Sequence, residues 1–163
     1  MPNNQAQTNL HRPALQTSRE IYVMPCFTTL MVSDLNQSKD FYTQAAGFFV
    51  LAEIPGENSN LALIHLRRKL YQDILLVPGG HKIQAGAQIY FDAANENLEQ
   101  RAVLAKSLGL GEISGPLETA WYTREVRFSD PDGYQIIFTE RNETEFNPEW
   151  EQTLNNSTLN TGS

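Results

Sequence analysis

Residues 124–140 read REVRFSDPDGYQIIFTE. Apolar and polar residues alternate into the turn DPDG and out of it again, the pattern of two strands joined by a tight hairpin. With Asp130–Gly133 as the loop, Ser129 pairs with Tyr134 and Thr123 with Glu140. Alternation then groups Thr123, Glu125, Arg127 and Ser129 with Tyr134, Ile136, Phe138 and Glu140 on one face. Val126, Phe128 and Ile137 fall on the other, which suits helix packing. A slip of one residue would reverse these faces. The hairpin ends on a carboxylate, and whether Glu140 holds a metal separates an enzyme from a binder.

Upstream, the same order of elements occurs twice. CFTTLMV is a strand, Asp34 a plausible N-cap with Gln37 three residues on, and LNQSKDFYTQAA a helix closed by Gly47. Leu35, Phe41, Tyr42 and Ala45 share one face of that helix. FFVLAEI, NLALIHLR and YQDILLVP follow as strands. The second half repeats this with QIYFDA, a cap at Asn95 or Asn97, the helix LEQRAVLAKSL closed by Gly109, a short run near GEIS, then WYTREVRF and YQIIFTE. Phe27 falls on Gln88 and Asp34 on Asn95 at a spacing of 61, and Gly47 on Gly109 and Pro78 on Glu140 at 62. The expected fold is α+β: two tandem βαβββ modules whose sheets form a U-shaped, partly closed surface around a cavity.

The chain has 163 residues, enough for one domain with a substantial core. Residues 1–20 and 142–163 are rich in Asn, Gln, Thr and Ser and read as a flexible N-terminal tail and a polar C-terminal tail, leaving 21–141 as the domain. Net charge is −7; residues 22–141 carry 10 Lys/Arg and 14 Asp/Glu, or −4. No basic stripe exists for a nucleic-acid backbone, whereas an acidic domain suits a cationic small ligand. The first twenty residues contain no apolar signal core and nothing reaches the length of a membrane span, so the expected location is the cytoplasm, away from membranes. Cys26, the single cysteine, sits in the apolar run YVMPCF and is expected to be a buried packing residue.

VSDLNQSKDFYTQAAGF resembles the first helical unit of the vicinal oxygen chelate superfamily, which includes glyoxalases, bleomycin-resistance proteins and extradiol dioxygenases. FSDPDGYQIIFTE looks like that superfamily's final hairpin, and the resemblance covers nearly all of 22–141. It implies paired βαβββ modules, a U-shaped cavity and a homodimer. In metal-dependent members, His, Glu or Gln side chains on cavity-facing strands hold a divalent ion. Here the matching first-module positions fall on Phe27 and Pro78, which cannot ligate, leaving Gln88 and Glu140 in the second module. The expectation is therefore a protein without a metal cofactor. It would bind a small, partly aromatic molecule, neutral or cationic, through Phe27, His65, Gln88, Tyr90, Glu125, Arg127, Phe138 and Glu140, with Trp121 closing over it. The alternative is a metal-dependent lyase, isomerase or dioxygenase holding Ni, Zn, Mn or Fe on His65, Gln88 and Glu140.

Overall fold

The structure, a computed structural model, describes residues 16–22, 24, 26–57, 60–79, 88–120 and 122–141. Two βαβββ units follow each other. The first comprises β1 (Thr28–Val32), α1 (Leu35–Asp40) running on as a wider π-type turn over Phe41–Ala45, β2 (Phe49–Pro55), β3 (Leu61–Arg67) and β4 (Asp73–Pro78). The second comprises β5 (Gln88–Asp92), α2 (Leu98–Leu108), β6 (Glu112–Glu118), β7 (Thr123–Ser129) and β8 (Gln135–Arg141). Each unit makes one four-stranded sheet, with orders β1-β4-β3-β2 and β5-β8-β7-β6.

The repeat extends to the register. His65 pairs with Leu75 and Arg127 with Ile137, while Thr28 pairs with Ile74 and Ile89 with Ile136. These are the residues superposed by the spacings of 61 and 62. Local caps follow the sequence: Asp34 accepts from the N–H groups of Asn36 and Gln37, both at 2.9 Å, and Asn97 rather than Asn95 accepts from Gln100 at 2.9 Å. Gly47 and Gly109 end the helical segments at φ 74° and 63°.

The inward faces of both sheets share one core with the helices. Leu30, Val32, Ile64, Leu66, Ile74 and Leu76 come from the first sheet, and Phe91, Val126, Phe128, Ile136 and Phe138 from the second. Phe41, Tyr42, Ala45, Ala102 and Ala105 fill the space between them. Edge-on rings link Tyr42 to Phe48 and Phe48 to Phe91, carrying the packing from one module to the other. Gly111 sits so close that a Cβ there would meet the Ser129 carbonyl and the Phe41 ring. The modules are thus joined through their helices and inner faces, and their other faces turn away from this core.

The DPDG turn is a clamp between modules. Asp130 is buried; its Oδ1 accepts from the N–H groups of Asp132 (3.0 Å) and Tyr134 (2.8 Å), and its Oδ2 from the Tyr42 hydroxyl at 2.8 Å. Asp132 accepts from the Ser33 N–H, and the Tyr134 hydroxyl donates to the Met31 carbonyl at 3.1 Å. These bonds correct the expected hairpin register. Asp130 N–H donates to the Tyr134 carbonyl, so the loop takes in Tyr134 and the ladder begins at Ser129–Gln135. Thr123 pairs with Arg141, and Glu140 with Arg124.

Two further expectations change. Cys26 is exposed rather than packed. Residues 16–20, grouped with the tail by composition, lie on the first sheet: the Gln16 carbonyl accepts from Leu70, and those of Ser18 and Glu20 from Arg67. The C-terminal tail, 142–163, lies outside the described residues.

Burial pushes the Asp130 carboxyl and the Tyr42 hydroxyl above their ordinary pKa values, so this bond joins a desolvated carboxylate to a neutral phenol. Tyr42→Phe leaves Asp130 Oδ2 without its buried donor. Urea unfolding should show a loss of about 1–3 kcal/mol; an unchanged midpoint would show that the turn does not clamp the modules.

Candidate functional site

The register sorts the expected site residues onto two faces. On the second sheet, Gln88, Tyr90, Glu125, Arg127 and Ile137 point away from the core. The Tyr90 hydroxyl donates to Gln88 Oε1 at 3.1 Å, and its ring is 46% exposed. Glu125 is buried on this outward face. Its Oε2 accepts from Arg127 at 3.0 Å and its Oε1 from the Thr123 hydroxyl at 3.3 Å. Arg127 is half-buried. The neighbouring guanidinium and hydroxyl hold this side chain in place.

Phe138 and Glu140 fall on the opposite, helix-facing side. Phe138 is core, with its ring 4.8 Å from that of Phe128. Glu140 meets Arg124 at 3.1 Å, and the same guanidinium reaches Glu118 at 3.0 Å and Glu99 of α2. Expected grouping of Glu125 with Glu140 therefore fails, because the loop takes in Tyr134, a residue of the expected ladder. The alternative metal set fails on the same geometry: His65 lies on the first sheet, Gln88 on the outward face of the second, and Glu140 on its inward face. These three donors do not converge. Among the described residues, no three His, Cys, Asp or Glu side chains form a metal-binding group.

On the first sheet, Phe27 lies just before β1 and is 48% exposed, and Met31 is exposed beside it. His65 also faces outward, with Nε2 2.7 Å from Asp73 Oδ1, the atom that accepts from Arg67 Nε at 2.7 Å. Since an ionised carboxylate only accepts, Nε2 of His65 carries the hydrogen. Trp121 lies outside the described residues.

Two side chains missed by the sequence reading stand out. Arg67 ends β3, Arg68 follows it, and both are buried, one on each face of the sheet. Arg68 stacks on Phe138 at 3.8 Å and donates to the Asp92 carbonyl at 3.0 Å, to Gln72 at 2.6 Å and to Glu96. The readable signal was RR directly after an alternating strand, where consecutive residues must take opposite faces.

This is a two-module βαβββ scaffold of the kind that carries small-molecule sites on its pleated faces. Residues 26–138 match the family described as the Glyoxalase/Bleomycin resistance protein/Dioxygenase superfamily, and the chain belongs to that family. Comparison with curated proteins gives no match. Among solved structures, the chain is similar to a glyoxalase/bleomycin resistance protein from Streptomyces sp. CB03234, at 25% identity and TM-score 0.53, covering 70% of this chain and 97% of that one. It is also similar to TnmS3, an antibiotic binding protein from the same source, at 26% identity and TM-score 0.54, covering 75% and 97%. The fosfomycin resistance protein FosX from Listeria monocytogenes, solved with Mn(II) and sulfate, shares the fold at 19% identity and TM-score 0.57, covering 74% and 93%. No helix among the described residues is long and apolar enough to cross a membrane.

Burial, followed by repulsion from Glu99 and Glu118, outweighs Arg124 and raises the Glu140 carboxyl above its ordinary range near 4.5. The folded state therefore binds this proton more tightly than the unfolded chain. Its contribution falls as pH rises from that range through the folded pKa, and is absent above it. Glu140→Gln should cost under about 1 kcal/mol at pH 7, since Arg124 keeps two other carboxylates. Relative to wild type, the variant should also gain stability between pH 4.5 and neutrality. A large loss at pH 7 would make Glu140 a structural anchor instead.

Proposed function

We propose that this protein binds a small, partly aromatic organic molecule, favouring a cationic one, without a metal ion, as a cytoplasmic homodimer. The observation that carries the reading is the set of side chains at the centre of the outward faces. Along the parallel pair β1–β4 these are Thr29, Leu75, Met31 and Val77; along β5–β8 they are Tyr90 and Ile137. None is an imidazole or a carboxylate, whereas a divalent ion needs three or four such donors. Asp73, at the end of β4, is taken by Arg67, His65 and Tyr22, and Asp92 Oδ1 by the Ala94 N–H.

What these faces offer instead is apolar and aromatic area with a few fixed polar groups. Phe27, Met31 and Tyr90 are exposed, and Leu117 extends the second face beside Glu125. Burying such area contributes roughly 25 cal/mol per Å², and Glu125 would set orientation and favour positive charge. Enclosure needs two faces, and within one chain the core holds them apart. A second copy, setting its second-module face against the first-module face of its partner, would close the cup. The Streptomyces antibiotic binding protein supports retention of a small molecule by this fold at comparable identity.

Native mass spectrometry on protein purified without chelator tests the reading. It should give a dimer with substoichiometric metal that takes up the cationic aromatic dye thioflavin T. Glu125→Gln should weaken dye binding by about tenfold. One divalent ion per chain, or dye binding indifferent to Glu125, would overturn the proposal.

A further inference from the structure

The N-terminal segment borders a cavity on the first sheet. Residues 19–22 cross the outward face of the first sheet and enclose a space of about 310 Å³ lined by Arg19, Ile21, Tyr22, Leu51, Ala52, His65 and Arg67. Its floor is unusually well fixed. Arg67 is 1% exposed, with Nε on Asp73, Nη1 on the Glu20 carbonyl at 2.6 Å, and its guanidinium 4.2 Å from the centre of the Tyr22 ring. Tyr22 in turn donates to Asp73 Oδ2 at 3.0 Å and accepts from the Tyr71 N–H at 2.7 Å.

The charges around this space have one sign. Among the described residues, two guanidiniums and an imidazole line it and no carboxylate does, in a chain of net charge −7. Asp73 is fully buried beneath, with Oδ1 accepting from His65 and Arg67 and Oδ2 from Tyr22. It neutralises Arg67 and is closed to any ligand. Arg19 is the surplus charge, held across the edge strand by the Val50 carbonyl at 3.3 Å and the Phe49 ring at 4.9 Å. The remaining walls are hydrocarbon: Ile21, Leu51, Ala52 and the Tyr22 ring.

We infer that this cavity is a binding site for a small organic monoanion, a carboxylate or similar group carried on a short aromatic or aliphatic body. The charge count sets the valence: one uncompensated guanidinium matches one negative charge, and a dianion would leave charge unpaired in a partly dry site. The volume lies at the lower end of the range for small-molecule pockets, about 300–1,000 Å³, so it takes a single ring rather than a drug-sized molecule. Opposite ligand charge and a position at the β2–β3 edge of the first sheet separate this site from the one around Tyr90 and Glu125.

Titration of the full-length protein with benzoate and with uncharged benzamide, followed by amide and His65 ring NMR shifts, tests the inference. Benzoate should saturate with shifts at residues 19–22, 52 and 65, and benzamide should bind at least about tenfold more weakly. Ala52→Leu, which fills the cavity, and Arg19→Gln, on its rim, should each raise the benzoate Kd by about tenfold or more. Glu125→Gln should leave benzoate affinity unchanged even where it weakens the cationic dye. Equal binding of benzoate and benzamide, no saturable benzoate binding, indifference to Ala52→Leu, or dependence on Glu125 would each overturn it.

Discussion

The structure depends on the burial of one guanidinium. Arg68, from the first module, is 4% exposed and lies against the second, with its charge over the Phe138 ring and its donors on the Asp92 carbonyl and Glu96. Among the described residues, only Gln72 answers it from its own module, and Nε finds no hydrogen-bond partner. Burial lowers its pKa, and Glu96 partly restores it. A buried cation without partners costs several kcal/mol, so the first module cannot keep Arg68 inside unless the second is docked. The reciprocal clamp is Asp130, a second-module carboxylate whose buried oxygen relies on Tyr42 of the first. Between these two polar contacts, one shared apolar core closes.

That back-to-back junction decides where ligands can go. With inner faces and helices consumed by the core, the pleated faces left for binding are the outward ones, and they differ in chemistry. The first carries Arg67, His65 and the covering segment with Arg19; the second carries Tyr90 and the Glu125–Arg127 pair. A duplicated scaffold has thus acquired two unlike surfaces, cationic donors on one and a fixed carboxylate on the other. Among the described residues, neither face gathers three His, Cys, Asp or Glu side chains into one group.

Much of the fold was readable because it rests on local chemistry. Asp34 and Gly109 act within a few residues of themselves, and the 61–62 residue repeat needs only alternation and caps to be seen. The hairpin register was not readable. The N–H groups of Asp132 and Tyr134 both bind Asp130, and the deciding partner, the Tyr42 hydroxyl, lies 88 residues away. That one-residue difference moved Phe138 and Glu140 from the expected site to the core side, while Gln88, Tyr90, Glu125 and Arg127 kept a common face. Residues 16–20 escaped for another reason. They dock mainly through main-chain carbonyls, which leave no mark in composition, onto an arginine whose burial the sequence does not announce.

The most direct measurement is native-state hydrogen exchange on Arg68→Met compared with wild type. If the buried guanidinium couples the modules, amides of β3–β4 and of β7–β8 should lose protection together and by the same opening free energy, as one cooperative unit. Loss confined to the strands around β3, with β7–β8 unaffected, would show that the modules stand independently and contradict the account.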